Sequence, residues 1–280
     1  MLTKDGVHGI MTPLVTPFTE REDLDEAAFR REVGLMLDLG VHGLVVGGST
    51  GEGHALTPEE LGRLTIVAAS EARGNVPVVA GVITTCTRDA VRRGRVAKEA
   101  GADGLMVTPI IYQVPSDDGL FDYYDRIWRE VGLPLIIYNV VPRVPVSPRL
   151  LRRLVSIEGL VGIKESIGGN LDTLSEMVRT VGDKISVTWA QDPLLFAGFA
   201  LGATGSISGI NAVLPQLSLD LWHAVERNDL NTARKIHYRM LPVAQAMGLD
   251  NWPARVKELV NLQGRNVGPA RRPFIPVTEE

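Results

Sequence analysis

Eight short apolar runs recur along the chain, each followed by a segment with helical patterning, and this alternation confines the fold to a strand–helix repeat. The runs are Gly9–Val15, Gly43–Gly48, Val76–Val82, Gly104–Thr108, Pro134–Asn139, Leu160–Glu165, Ile185–Ala190 and Gly205–Ile210. They are rich in Val and Ile and lack strict apolar–polar alternation, which is how strands covered on both faces read. Between them, Phe29, Val33, Met36 and Leu37 share one helical face. Thr57-Pro58-Glu59-Glu60 supplies a cap, a Pro in the first helical position and a Glu that can close a capping box. Ser147-Pro148 repeats the cap-then-Pro pattern, and Thr87 and Ser116 each open a segment with acid in its first turn. Leu39-Gly40, Ala100-Gly101 and Leu201-Gly202 each precede a second Gly three residues on, so one Gly can end a helix left-handed and the next can open a strand. Eight equal units without a break favour a closed (β/α)8 barrel over an open doubly wound sheet. The 280 residues exceed the roughly 250 of a typical barrel, and the helical pattern continues past Leu214. The organisation predicted is a barrel over 1–212 and a helical extension over 213–280. Its end, from Gly264, is a Pro- and Arg-rich tail laid over the surface or frayed.

Composition removes several classes of function. The net charge of −4, with both signs interspersed, offers no basic surface for nucleic acid or an anionic membrane. There is no apolar run of about 18 residues and no apolar signal core near Met1, so no membrane partner is expected. A single cysteine, Cys86, forms no intramolecular disulfide and fits a reducing, cytoplasmic setting. The five histidines show no ligand pair at helical or hairpin spacing, and neither a dinucleotide fingerprint nor a phosphate-binding loop is present. No metal and no dissociable cofactor are expected.

In a barrel of this kind the chemistry sits at the C-terminal ends of the strands. The strongest signal there is Lys164 in Leu160-Val161-Gly162-Ile163-Lys164-Glu165, since a Lys inside an apolar strand is seldom buried without a purpose. Alternation puts Val161 and Ile163 on one face and Gly162 and Lys164 on the other. Burial disfavours the charged amine, and a neutral amine is what imine formation requires. A structural Lys is the competing reading; pairing with Glu165 is disfavoured because adjacent strand residues face opposite ways. Gly48-Ser49-Thr50-Gly51-Glu52 reads as an anion-binding turn or as an ordinary capping turn. Tyr138 is a strand-end phenol able to relay protons, or a core ring with a wet hydroxyl. Arg143 can pair a second carboxylate. Tyr112 lies on a rim loop, and Asp192 can orient substrate hydroxyls or cap a helix. The stretch Gly202–Gly209 can cradle a phosphate or simply pack closely at the mouth.

Taken in order, these pieces resemble the dihydrodipicolinate synthase and N-acetylneuraminate lyase family. The resemblance runs from Gly9–Phe18 through Gly48–Glu52, Tyr138-Asn139-Val140 and Gly162–Ser166 to Gly205–Ser208. It implies that Lys164 forms the Schiff base and that Tyr138 shuttles protons. It implies that Ser49 and Thr50 hold the carboxylate of a 2-oxo acid, with Thr50 in the relay and Gly48 and Ile207 in substrate contact. Tyr112 resembles a relay tyrosine lent across a subunit interface, and Arg143 occupies the place of an arginine for the second substrate's carboxylate. The implied partners are pyruvate or another 2-oxo acid and an aldehyde, with the covalent lysine imine in place of a cofactor and a homo-oligomer, a tetramer, as the assembly. The chain departs from the family pattern at Pro109-Ile110-Ile111-Tyr112-Gln113, at Val141-Pro142-Arg143-Val144-Pro145 and at Pro193. Pro193 stands where the sialate-cleaving branch carries a Glu, which argues against sialic acid. The departures fall on the acceptor pocket, so a dihydrodipicolinate synthase-like enzyme and a 2-oxo-3-deoxy acid aldolase both remain open. A sugar-acid dehydratase using the same imine is a further alternative, and a barrel that binds a 2-oxo acid or phosphate without turnover is the non-catalytic one.

Overall fold

A computed structural model of the chain describes residues 1–248 and 250–277. Its strands are β1 (Gly9–Pro13), β2 (Gly43–Val46), β3 (Val78–Val82), β4 (Gly104–Val107), β5 (Leu135–Asn139), β6 (Leu160–Glu165), β7 (Ser186–Trp189) and β8 (Gly205–Ser206). Every strand pairs in parallel with its sequence neighbours, and β8 returns to β1, so the sheet is a closed barrel. The seam is Gly9 against Gly205, where a Cβ on Gly205 would overlap the Gly9 backbone. Closure therefore depends on the bare backbone of this glycine.

The predicted helix starts are realised. Thr57 and Glu60 form a reciprocal capping box at the head of α2 (Pro58–Ala72), and Ser116 and Ser147 cap α4 (Asp117–Val131) and α5 (Pro148–Leu154). Gly40, which ends α1 (Glu26–Leu39), has a left-handed φ of 79°. The ring continues with α3 (Thr87–Glu99), α6 (Leu171–Val181), α7 (Leu195–Ala200) and the short α8 (Gly209–Val213). The expected boundary between 212 and 213 falls inside α8. The helix that packs on β1, α1 and α7 is α9 (Pro215–Glu226), which takes the eighth outer place. Beyond it, α10 (Leu230–Met247) and α11 (Trp252–Asn261) pack on α9, α8 and the segment after β7.

Two apolar layers result. The larger fills the space between sheet and helices. The smaller is the barrel interior, where Met11, Val45, Val79, Met106, Ile136, Tyr138 and Ile207 point inward over a floor of Leu2 and Val7. Such interior layers make the barrel a packed core and not a pore.

Under the barrel, at the N-terminal ends of the strands, the His42 ring lies 5.1 Å from that of His8 and 6.0 Å from that of His223. Burial first, then His8 and His223, hold the His42 imidazole below its ordinary value. A folded-state value below the unfolded one gives stability that is complete above the unfolded value of 6.5 and is lost as pH falls through the folded one. We expect the urea midpoint to drop between about pH 7 and pH 5, and His42→Gln to shrink that drop. An unchanged drop in the variant would remove His42 from the cause.

Candidate active site

At the C-terminal mouth the register sets three side chains side by side: Tyr138 of β5 pairs with Lys164 of β6, which pairs with Thr188 of β7. Paired residues of parallel neighbours face the same way, so all three point into the barrel. Lys164 is 4% exposed, and its Nζ stands 3.6 Å from the centroid of the Tyr138 ring. It makes no ion pair among the described residues. The Tyr138 hydroxyl donates across the mouth to Ser49 Oγ at 3.2 Å.

Glu165, next in the chain, faces outward. It takes the Asn139 side chain at 2.6 Å and the Ile167 amide at 2.7 Å. Burial raises the Glu165 carboxyl above its usual range, against the pull of those donors. Asn139 also bonds both the amide and the carbonyl of Val146. These bonds brace the strand ends that carry Tyr138 and Lys164, and strand alternation alone gave no sign of them.

The turn after β2 is wound tightly. The amides of Gly51 and Gly53 both donate to the Gly48 carbonyl, and that of Glu52 donates to Ser49 O. Thr16 Oγ1 donates to Gly51 O at 2.7 Å. A Cβ on Gly53 would overlap the Gly47 carbonyl, so only glycine permits this winding. With those amides spent, the anion-binding reading narrows to Ser49 and Thr50. Their backbone N–H groups make no backbone bond among the described residues.

A cavity of about 720 Å³ opens over these groups, and Ser49, Thr50, Tyr138, Lys164 and Asp192 all line it. Asp192 Oδ1 accepts from Ser208 Oγ at 2.5 Å and from the Ile210 amide at 2.8 Å. Burial raises its carboxyl above the usual range, with Ser208, Ile210 and Lys164 opposing. The Ser208 hydroxyl, at the end of the Gly202–Gly209 stretch, and the Ile210 amide in the first turn of α8 are thus taken by this carboxylate. Gln245 of α10 and Trp252 of α11 also line the cavity, and no local motif announced either.

The other expected site residues lie elsewhere. Gly48 lies against Met106 and Ile207 is fully buried in the barrel interior, and neither is among the residues that line the cavity. Tyr112 is 71% exposed on the loop after β4 and does not reach the cavity of its own chain. Arg143 is also exposed and outside the cavity. The Val144 amide donates to Val141 O, which makes Pro142 and Arg143 the corner of a four-residue turn anchored by buried Val144 and Val146. That corner turns Arg143 to solvent.

Among the described residues, no group of three or more His, Cys, Asp or Glu side chains is placed to hold a metal ion. No helix among them is long and apolar enough to cross a membrane. A second concavity, about 410 Å³, lies outside the ring between α3 and α4. Of its four arginines, Arg92, Arg95 and Arg126 are paired with Glu59 and Glu130.

The sequence was also compared with known proteins. The model of the Dihydrodipicolinate synthetase family matches residues 6–280. The 4-hydroxy-tetrahydrodipicolinate synthase of Methylobacterium radiotolerans is 34% identical over 280 residues, 99% of this chain and 93% of that protein. The crystal structure of dihydrodipicolinate synthase from Aquifex aeolicus superposes with a TM-score of 0.91 at 33% identity, over 97% of this chain and 93% of that one. YagE of Escherichia coli, described as a family member in complex with pyruvate, superposes at 0.92 with 30% identity, over 98% and 94%. A barrel closed at Gly9 and Gly205, a lysine and a tyrosine side by side in its mouth, and a profile match over nearly the whole length agree: the chain belongs to the dihydrodipicolinate synthetase family.

Proposed function

We propose that Lys164 is the imine-forming amine of a lyase that joins pyruvate to a neutral, hydroxylated aldehyde, or splits the product. Membership of the family gives the activity class, a class I aldolase-type lyase acting on a 2-oxo acid and an aldehyde. The residue roles rest on the geometry of the mouth. The Lys164 Nζ lone pair attacks C2 of pyruvate, and loss of water leaves a protonated imine. That imine draws electrons from C3, so a C3 proton leaves and an enamine forms. The enamine carbon attacks the aldehyde carbon, the new alkoxide takes a proton, and water releases the product and restores the amine. The Tyr138 hydroxyl, bonded to Ser49 Oγ beside Thr50, is the path for these protons. The Ser49 and Thr50 turn holds the carboxylate, which fixes the ketone over the amine. No step calls for a metal or a dissociable cofactor.

The observation that carries the acceptor assignment is the charge of the cavity. Lys164 is the one basic side chain among the described residues that line it, and Asp192, Gln191, Gln245 and Ser166 are the polar groups beyond it. No second basic side chain among the described lining residues complements another carboxylate, whereas hydroxyls suit amide and carboxylate acceptors. The names of the relatives favour a second reading, a synthase acting on an amino-acid semialdehyde, in which Arg143 would serve the acceptor. An aldehyde panel with pyruvate separates the two. We expect turnover of polyhydroxy aldehydes to exceed that of aspartate semialdehyde by at least about tenfold in kcat/KM, and Arg143→Ala to change kcat/KM less than about twofold. A preference for the semialdehyde that Arg143→Ala destroys would reverse the choice. The subunit arrangement belongs with this proposal. The exposed Ile111, Tyr112 and Val114 form an apolar rim, and the assembly proposed is a homo-oligomer that covers it.

A further inference from the structure

The C-terminal segment reaches the strand-2 turn through a buried ion pair. Glu52 is fully buried and Lys257 of α11 is 2% exposed, with Nζ 2.7 Å from Glu52 Oε1. Lys257 also donates to Pro269 O at 2.7 Å and stands 4.2 Å from the centroid of the Phe18 ring. The other carboxylate oxygen of Glu52 accepts the Arg271 amide at 2.9 Å. The Arg271 guanidinium, 4.1 Å from the same Phe18 ring, pairs with Glu60 and bonds the carbonyls of Glu22 and Ala55. Burial pushes the Lys257 ammonium down to about 8 while Glu52 opposes the shift.

A buried ion pair is a weak source of net stability, because packed apolar side chains serve as well. The geometry here is specific. Glu52 has a φ of 51°, a left-handed conformation that costs a side-chain-bearing residue free energy and needs outside support. Its amide in that conformation donates to Ser49 O at 3.1 Å. Ser49 Oγ accepts from Tyr138, whose ring faces Lys164 Nζ. One line of contacts thus runs from α11, through Glu52 and Ser49, to the amine.

We infer that the Glu52–Lys257 pair is a positioning device that holds the Ser49–Thr50 turn in the shape that receives the 2-oxo acid carboxylate. Pyruvate affinity then depends on a helix some two hundred residues away in sequence. This rests on the proposed placement of pyruvate over Lys164.

The test uses the full-length chain, pyruvate and borohydride, with the adduct read by intact mass over a range of pyruvate concentrations. The double variant Glu52→Gln with Lys257→Met removes both charges and leaves none alone in the interior. Its half-saturating pyruvate concentration should rise about tenfold, while the trapping rate at saturation changes less than about threefold. Should that variant not fold, Lys257→Arg keeps both charges and alters only the geometry of the pair, and half-saturation should rise about threefold. A folded variant with the wild-type half-saturation overturns the inference and leaves the pair to stability only. Loss of trapping at every concentration in a folded variant also overturns it, since the pair would then serve the amine and not the turn. No adduct in the wild type removes the placement of pyruvate itself, and the inference with it, before any variant is made.

Discussion

Lys164→Ala should lose the borohydride-trapped pyruvate adduct entirely and lower kcat/KM by roughly 10⁴-fold or more, because no other described residue on the cavity wall carries an amine that can form the imine. The side chain is buried, yet it makes no ion pair among the described residues, and Asp192, which lines the same cavity, keeps its bonds to Ser208 and Ile210. Removal of the amine therefore leaves no buried group newly without a partner, and the variant should fold with a thermal midpoint close to the wild type. Intact mass after reduction, together with a thermal melt, reads both halves of the expectation. A full-mass adduct persisting in Lys164→Ala would place the imine on another amine. Lys257 is the remaining buried lysine, and it lies behind the strand-2 turn, held by Glu52.

Tyr138→Phe should be the next most damaging change, on the order of 10²–10³-fold in kcat, the range for loss of one general acid–base group. The ring stays under the Lys164 amine, so packing is kept. What goes is the hydroxyl that reaches Ser49 at 3.2 Å, and with it the connection between the amine's surroundings and the turn after β2. The proposed placement gives the carboxylate to the turn and not to the phenol, so half-saturation by pyruvate should move less than about threefold. Rapid-quench trapping at saturating pyruvate separates the two quantities. A variant whose kcat is within a factor of two of the wild type would make Tyr138 a packing residue with an idle hydroxyl.

Strand periodicity carried much of this site. A period of two put Lys164 inward and Glu165 outward, and the register of β5 with β6 then set Tyr138 beside the lysine. The cap signals at Thr57, Ser116 and Ser147 are local hydrogen bonds, so a few adjacent residues suffice to predict them. Strand ends were less legible. The last run was expected to extend to Ile210 but β8 stops at Ser206, because Ser208 and Ile210 turn aside to bond Asp192 and α8 begins at Gly209. Arg143 was expected at the second substrate and stands at a solvent-facing corner, since Pro142 and the buried Val144 decide how the loop turns.

From the order of its residues alone, the chain specified eight parallel strands with interposed helices and a lysine on an inward face, because continuous apolar runs, side-chain alternation along a strand and the 3.6-residue helical face all act within a few neighbours. Only the tertiary structure decided that the sheet closes at Gly9 and Gly205. It alone decided that the turn bearing Ser49 is held by Lys257 and Arg271, and that α10 and α11 supply Gln245 and Trp252 to the cavity. Those contacts join residues some two hundred positions apart. No local period encodes them, and they arise when the whole chain buries its apolar faces at once.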